Sequence, residues 1–337
     1  PSEPGPSGVN MQSPEHLPRL VLHIGFPKTG TTSIQAALKD NATILSEFRI
    51  YFPHSVGRPN NRKFSMAFEE PSELFEDWIG LDVEEKKAKS ASDLETFKRE
   101  ITGIGENHDT VVISSEQMSW RWSGQAIRDF AEFSRPLFSG VTVLIFLRSQ
   151  VSAFPSRYWL DLNSTLLTQP FRVWVRSTAL SLENFDYAKV LRRWEENLPD
   201  ADIRVVPTAD AAEFDSVKAF FSEGLGLEPP VLAKLSLAGQ RKNRSAPASF
   251  AKVLRAYNVV LTGLFRVVPH FRGSARKLRR LLLPLRKVFF GRPFRLEKSD
   301  AQLVSRTFYQ SNLEVSKRYR GGVFLFPADL THLAGNE

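Results

Sequence analysis

The chain has 337 residues, of which 42% are hydrophobic, so it is long enough for one large α/β domain or two small ones. It contains no cysteine, which excludes disulfides, thiolate metal sites and a cysteine nucleophile. The formal net charge is +8, but the sequence from 229 to 296 holds sixteen Lys or Arg and no Asp or Glu. This basic region predicts an anionic partner, and charge alone leaves nucleic acid, polysaccharide, a phosphorylated cofactor and anionic lipid open.

The first seventeen residues are rich in Pro, Gly and Ser and lack the apolar core of a secretion signal. We expect residues 1–17 to form a disordered leader, followed by a single domain over 18–337. Its core should span about 20–225, and a basic helical part should span about 229–337. A chain without cysteine or signal is expected in the cytoplasm, with the inner face of the membrane as a peripheral location.

The first predicted element is a strand over residues 20–24, an apolar run that a turn at Gly25 interrupts. A helix is predicted to begin near Thr31, because hydroxyl residues favour helix starts and apolar residues then recur at helical spacing. A strand, a glycine turn and a helix start point backbone N–H groups and the positive end of a helix dipole at one place. The sequence therefore predicts an anion site within residues 25–33.

The spacing of this loop differs from the nucleoside triphosphate P-loop, in which the lysine follows the second glycine. Here Lys28 precedes Gly30, and the run Pro-Lys-Thr-Gly-Thr-Thr resembles the 5′-phosphosulfate loop of the sulfotransferase family, whose donor is 3′-phosphoadenosine-5′-phosphosulfate (PAPS). The resemblance implies a three-layer P-loop-type α/β fold, with a central parallel sheet between helices. It also implies that these loop residues bind PAPS: Pro27, Lys28, Thr29, Gly30, Thr31, Thr32 and Ser33. The alternative is a structural junction with an incidental lysine.

The next convincing strand covers residues 109–114, and Glu116 follows it by two positions. Because ligands bind outside the carboxyl ends of parallel strands, Glu116 is predicted at the same edge as Lys28. His108 precedes the strand and is predicted at the opposite edge. The run Ser-Ser-Glu resembles sulfotransferases that use a glutamate as general base, and the alternative role of Glu116 is to complement a helix dipole.

The strongest buried strand is predicted over residues 141–147, and Arg148 ends it. Ser156 follows eight positions later, in a helix predicted to begin near Val151. This pair resembles the second cofactor signature of sulfotransferases, in which the arginine and the serine hold the 3′-phosphate. Arginine suits that role because its planar guanidinium offers two parallel hydrogen bonds to phosphate and stays charged.

The remaining predicted elements alternate between helix and strand. They are strands at 49–52 and 203–206, helices at 64–79, 91–104, 123–135, 185–197, 213–223, 249–267 and 300–320, and a solvated connection at 84–87. Arg241 and Lys242 lie in a polar, basic loop, at about the place where family members close a basic segment over the 3′-phosphate. An ordinary solvated loop explains these two residues equally well.

A second feature of the basic region is the stretch 271–295, which contains nine Lys or Arg, two clusters of bulky apolar residues and no acid. Three interpretations are open. The stretch packs on its own domain while its cations reach solvent, it contacts an anionic membrane surface, or it forms a groove for an acidic acceptor.

The resemblance implies a PAPS-dependent enzyme that moves the sulfuryl group in line to a hydroxyl or amine of an acceptor and releases 3′-phosphoadenosine-5′-phosphate (PAP). Lys28 stabilises the leaving phosphate and Glu116 takes the proton in this interpretation. A carbohydrate acceptor is expected by analogy with bacterial relatives, and no metal is required. The alternatives are a P-loop kinase-like phosphotransferase and a non-catalytic protein that binds nucleic acid or another anion. No nucleic acid is expected, since binding it gives no reason for the loop at 25–33.

Overall fold

The computed structural model describes most of the chain. The described ranges are 17–26, 29–70, 81–208, 215–237, 247–267 and 288–333. Several predictions fall outside these ranges: the leader apart from its last residue, the loop residues Pro27 and Lys28, the basic pair Arg241 and Lys242, and residues 271–287.

The described residues form one sheet of five parallel strands in the order β2-β3-β1-β4-β5. The strands are β1 (Arg19–His23), β2 (Ile50–Tyr51), β3 (Thr110–Ser114), β4 (Val141–Arg148) and β5 (Asp202–Thr208). Their β-branched and apolar residues suit a sheet that is covered on both faces. Together with the helices, this sheet confirms the predicted fold class, a three-layer P-loop-type α/β fold.

The helices of the described residues alternate with these strands and continue beyond them. They are α1 (Thr31–Asp40), α2 (Ala42–Glu47), α3 (Arg62–Ala67), α4 (Val83–Gly103), α5 (Met118–Arg121), α6 (Gly124–Ser134), α7 (Gln150–Ser164), α8 (Phe171–Ser177), α9 (Tyr187–Asn197), α10 (Ser216–Ala219), α11 (Pro229–Leu232), α12 (Ala248–Val267), α13 (Lys298–Tyr319) and α14 (Pro327–Leu333). None of these described helices is both long enough and apolar enough to cross a membrane.

Two hydrophobic cores lie on the two faces of the sheet, because successive side chains of a strand point to opposite faces. In β1, Leu20 and Leu22 belong to the larger core, whereas Val21 belongs to the smaller one. The smaller core is closed by α1 through Ile34 and Leu38, both fully buried. Each fully buried aliphatic side chain of this kind contributes about 1.5 to 3 kcal/mol, so the packing fixes α1, and with it the preceding loop, against the sheet.

Two predictions about the region between β2 and β3 are wrong. The charged residues 84–87 are the first turn of α4 rather than a solvated connection. Asp82 accepts a hydrogen bond from the backbone of Glu85 at 2.8 Å, and the Glu85 carboxylate accepts one from the backbone of Asp82 at 2.8 Å. This capping box starts the helix although its first residue, Val83, is exposed and packs in no core. The helix predicted over 64–79 ends at Ala67, and residues 68–70 are not helical.

The carboxyl-terminal helices pack directly on α7. The side-chain amides of Gln150 and Asn312 form two reciprocal hydrogen bonds of 3.0 Å, and both residues are buried. Asn258 of α12 donates to the carbonyl of Leu162 at 3.1 Å. Buried amides are costly unless they are hydrogen-bonded, so these pairs fix α12 and α13 against α7.

Candidate functional site

The loop that follows β1 lies where the strand order of the sheet reverses. Strands β3 and β2 lie on one side of β1, and strands β4 and β5 lie on the other. In open parallel sheets, ligands bind outside the carboxyl ends of the strands at such a position. Gly25 and Gly30 have φ values of 44° and 93°, a backbone conformation that residues with a side chain rarely adopt. The glycines thus permit sharp turns directly after β1 and directly before α1.

The start of α1 has the properties of an anion site. Its N-cap residue, Gly30, offers no side-chain hydrogen bond, and the first turn contains no acidic residue. The first N–H groups of a helix have no partner within the helix, and the dipole favours negative charge there. Thr31 is 3% exposed, and its buried hydroxyl has no hydrogen-bond partner among the described residues. An anion at this place would satisfy both the hydroxyl and the N–H groups.

Phe26 anchors this loop to the neighbouring part of the sheet. Its carbonyl accepts hydrogen bonds from the hydroxyl of Thr29 at 2.7 Å and from the backbone of Thr29 at 3.2 Å. The Phe26 ring is buried and meets the ring of Tyr187 edge-on, with centroids 5.1 Å apart. The Tyr187 hydroxyl donates to the carbonyl of Arg148 at 2.5 Å. One aromatic side chain therefore fixes the loop after β1 relative to the end of β4.

Glu116 lies directly beside the loop, as the strand order predicts. A Cβ atom at Gly25 would be 3.0 Å from the Cα of Glu116, 3.2 Å from its Cβ and 3.1 Å from the Thr31 hydroxyl oxygen. Any larger residue at position 25 would therefore press on both Glu116 and Thr31. The Glu116 residue is exposed, and its carbonyl accepts a hydrogen bond from the Ser119 hydroxyl at 3.0 Å.

Arg148 is the last residue of β4, and the helix after it begins at Gln150, one residue from the predicted start. The Nε of Arg148 donates to the Ser152 hydroxyl at 2.8 Å. Ser156 is buried and lies four residues after Ser152 in α7, so the two serines share a helix face one turn apart. The sequence motif pairs Arg148 with Ser156 and does not include Ser152. Ser152 stands four positions after Arg148 and four before Ser156, so helical spacing could have identified it.

Two histidines near the sheet differ in their positions. His23 ends β1, is completely buried and contacts the Ser114 hydroxyl through Nδ1 at 2.8 Å. Burial lowers the pKa of His23 to about 3, so the imidazole is neutral at physiological pH. His108 precedes β3, at the opposite edge from Glu116, and its Nε2 lies 2.8 Å from the Ser46 hydroxyl. Neither histidine therefore presents its imidazole ring to a ligand at the loop between β1 and α1.

Two further residues near the site were not predicted. Thr208 ends β5, is aligned with Arg148 across the strands, and its buried hydroxyl has no hydrogen-bond partner among the described residues. Ser216 packs closely on Gly30: a Cβ atom at position 30 would be 2.7 Å from the Ser216 Cβ. The rule that ligands gather at carboxyl strand ends could have identified Thr208. No sequence signal placed Ser216 beside the loop.

The side chains around α5 provide polar and aromatic groups near Glu116. The Arg121 guanidinium lies over the Trp120 ring, 4.5 Å from its centroid. Arg193 of α9 donates to the carbonyl of Ser119 at 2.8 Å, and burial lowers the pKa of this arginine. Among the described residues, no group of three or more His, Asp or Glu could hold a metal ion.

Comparisons with known proteins give distant matches only. No family model and no curated protein matches the chain. A solved sulfotransferase from Alicyclobacillus acidocaldarius is similar at 15% identity and a TM-score of 0.36, over 71% of this chain and 92% of that one. The sulfotransferase domain of the Synechococcus PCC 7002 olefin synthase is similar at 13% identity and a TM-score of 0.31, over 73% of this chain and 91% of that one. Because both scores are low, the fold assignment rests on the strand order and the parallel register.

Proposed function

We propose that this protein is a PAPS-dependent sulfotransferase that acts on a hydroxyl group of a carbohydrate. The observation that carries the proposal is the close approach of Gly25 to the Cα and Cβ of Glu116, which puts this glutamate beside a loop whose sequence resembles the phosphosulfate loop of sulfotransferases. The hydroxyl of Thr31, buried and without a partner in the described ranges, supports an anionic ligand at the same place. Neither feature is needed for a purely structural junction.

The donor is held by the loop and by the end of β4. In this proposal, the N–H groups at the start of α1 and the hydroxyls of Thr31 and Thr32 bind the 5′-phosphosulfate. Arg148 and Ser156 bind the 3′-phosphate, for which the guanidinium provides a charged, bidentate donor. Pro27, Lys28, Arg241 and Lys242 lie outside the described residues, so their roles rest on the sequence motif.

Sulfuryl transfer needs a general base for the proton of the acceptor hydroxyl and a site that stabilises the negative charge on the leaving phosphate. The acceptor oxygen forms a bond to sulfur while the bond between sulfur and the bridging phosphate oxygen breaks. Glu116 takes the proton of the acceptor hydroxyl. Lys28 and the loop N–H groups stabilise the negative charge that accumulates on the leaving phosphate, and PAP departs with it.

The acceptor class is inferred from the side chains on and around α5, the short helix that follows Glu116 in the chain. The Arg121 guanidinium lies over the Trp120 ring, and Arg193 donates to the carbonyl of Ser119, so a flat apolar ring and hydrogen-bond donors occur together. Such a combination suits a ring that carries several hydroxyls. A carbohydrate acceptor is therefore our choice among hydroxyl compounds.

The test is ligand-dependent thermal stability of the full chain in EDTA, with PAP compared with ATP and AMP. We expect PAP to raise Tm most, because it carries both phosphates that the site binds. Lys28→Ala should lower kcat for sulfuryl transfer from PAPS to a polysaccharide by about 10² to 10³, the usual effect of removing one transition-state donor.

Lys39→Ala is the matched control, since Lys39 is an exposed lysine in the last turn of the helix that follows the loop. It should leave kcat unchanged. A preference for ATP, or phosphate transfer that depends on magnesium, would overturn the sulfotransferase proposal in favour of a kinase-like phosphotransferase. Binding of PAP without transfer to any saccharide would contradict the acceptor class alone.

A further inference from the structure

Helix α12 exposes an apolar face to solvent. Val253, Val259, Val260 and Leu264 are 45%, 46%, 67% and 45% exposed. Val253, Val260 and Leu264 are separated by seven and four positions, so they form a stripe along one side of the helix. Other apolar residues of the helix, such as Leu254, are buried against the domain. A surface helix normally carries polar residues on its outer face, so this stripe calls for a partner.

The segment before α13 extends the apolar area at the amino end of α12. Phe290 is 85% exposed and Val288 is 68% exposed. Their segment is attached to the helix, because the backbone of Ala248 donates to the carbonyl of Arg292 at 2.9 Å and the Ser249 hydroxyl donates to the carbonyl of Phe290 at 3.3 Å. We call the combined area the α12 surface; it consists of Val253, Ala256, Val259, Val260, Leu264, Val288 and Phe290.

The charged side chains that α12 and the attached segment carry are all positive. Lys252 lies on the exposed face of α12, and Arg292 is exposed in the attached segment. In the sequence, no Asp or Glu occurs between Glu228 and Glu297. The partner should therefore combine an apolar phase with negative charge.

These observations separate the possible partners. A second copy bound through the same face would bring two exclusively cationic regions together, and like charges across an interface cost free energy. An anionic bilayer has both required properties, an acyl interior and a phosphate layer above it. We propose that the α12 surface docks on an anionic bilayer, with its apolar side chains in the boundary of the acyl region and with Lys252 and Arg292 at the level of the phosphates.

This proposal centres the membrane contact on α12 and keeps Val288, Phe290 and Arg292 from the stretch 271–295, in which the sequence suggested it. In the described part of 271–295, the partly buried Phe294 packs against the larger core, with ring centroids 5.3 Å from Tyr158 and 4.9 Å from Phe171. Phe289 likewise meets Phe250 at 5.3 Å. Among the described residues of this region, the exposed large apolar side chains are those on α12 together with Val288 and Phe290. The inference is independent of the sulfotransferase proposal, because it involves no residue of the loop or of the carboxyl strand ends.

The experiment is co-sedimentation of the full chain with vesicles of equal parts phosphatidylcholine and phosphatidylglycerol, at low salt, compared with vesicles of phosphatidylcholine alone. We expect the wild-type protein to bind the anionic vesicles and not the neutral ones. Val260→Glu should reduce the partition coefficient about tenfold, since it removes buried apolar area and adds repulsion from the phosphates. Phe290→Ser should act in the same direction.

Val323→Glu is the matched control, because Val323 is 66% exposed and lies between α13 and α14, away from this surface in the chain. It should bind vesicles as the wild type does. All variants change exposed positions, and circular dichroism will verify their folding. Failure of the wild type to bind anionic vesicles, or equal binding by Val260→Glu, would overturn the proposal. A dimer that Val260→Glu converts to a monomer would overturn it in favour of a second copy.

Discussion

Helices α1 and α7 begin at the carboxyl ends of neighbouring strands, and their first turns differ in one respect. The start of α1 has a glycine N-cap, no side-chain cap and no acid in its first turn. At the start of α7, the Ser149 hydroxyl donates to both carboxylate oxygens of Asp329, at 2.7 and 2.9 Å, and Asp329 is buried. A carboxylate from the chain itself thus lies where α7 would attract an anion. An external anion can therefore bind at the start of α1. Near the start of α7, by contrast, an anion has to be bound by the side chain of Arg148.

The largest effect is expected from blocking the α1 start. In Gly30→Ala, the new methyl group would collide with the Ser216 hydroxyl and would lie 2.7 Å from the Ser216 Cβ, so the loop must shift. A misplacement of about 1 Å can lower a reaction rate about a hundredfold, and we expect a comparable loss in the affinity of a binding loop. We expect the Kd for PAP, measured by calorimetry, to rise by about that factor.

Gly226→Ala provides the control for backbone strain alone. Gly226 has a φ of 70°, and no neighbouring atom lies within 4 Å of the place that an alanine methyl group would occupy, so its substitution strains the backbone without a collision. It should reduce the free energy of unfolding by about 1 kcal/mol and leave PAP affinity unchanged. Ser216→Gly added to Gly30→Ala should recover part of the affinity. An unchanged Kd for Gly30→Ala would mean that no anion binds at the α1 start.

A smaller effect is expected from removing the cation at the end of β4. Arg148→Ala should weaken PAP about 30-fold while it changes the affinity for adenosine-5′-phosphosulfate, which lacks the 3′-phosphate, less than about threefold. Arg148→Lys should fall between, because an ammonium lacks the planar fork. Arg204→Ala, in the neighbouring strand β5, is the control. Equal losses for both nucleotides would show that Arg148 acts by supporting Ser152 rather than by binding phosphate.

The smallest effect is expected at the α7 start. Asp329→Asn keeps an oxygen for the Ser149 hydroxyl and removes the charge, so the free energy of unfolding should fall by about 1 kcal/mol, as measured in urea. The Kd for PAP should stay close to that of the wild type. A large increase in PAP affinity would contradict the comparison, because it would show that α7 binds a ligand phosphate once its own carboxylate is neutral.

The sequence predicted those parts of the site in which the signal is local. The glycine turn at residues 25–30 and the strand that ends before Glu116 each depend on residues that are adjacent in the chain. The capping box at Asp82 is also local, but hydrophobic spacing gives no sign of it, because Lys86 and Lys87 stand three and four positions after Val83. By contrast, Ser149 and Asp329 are 180 residues apart, and their pairing depends on the packing of α14. Such contacts follow from tertiary structure and leave no pattern in either segment.

The paired amides of Gln150 and Asn312 have a consequence for how the chain can be divided. A protein shortened before α13 would leave the Gln150 side chain without one of its hydrogen-bond partners and would uncover the apolar surface beneath α13. The same cut removes Asp329 and leaves Ser149 without its acceptor. The helices that come last in the chain thus complete the packing around the first residues of α7. A fragment that ends near residue 225 should therefore fail to yield stable protein, even though it retains every strand of the described sheet.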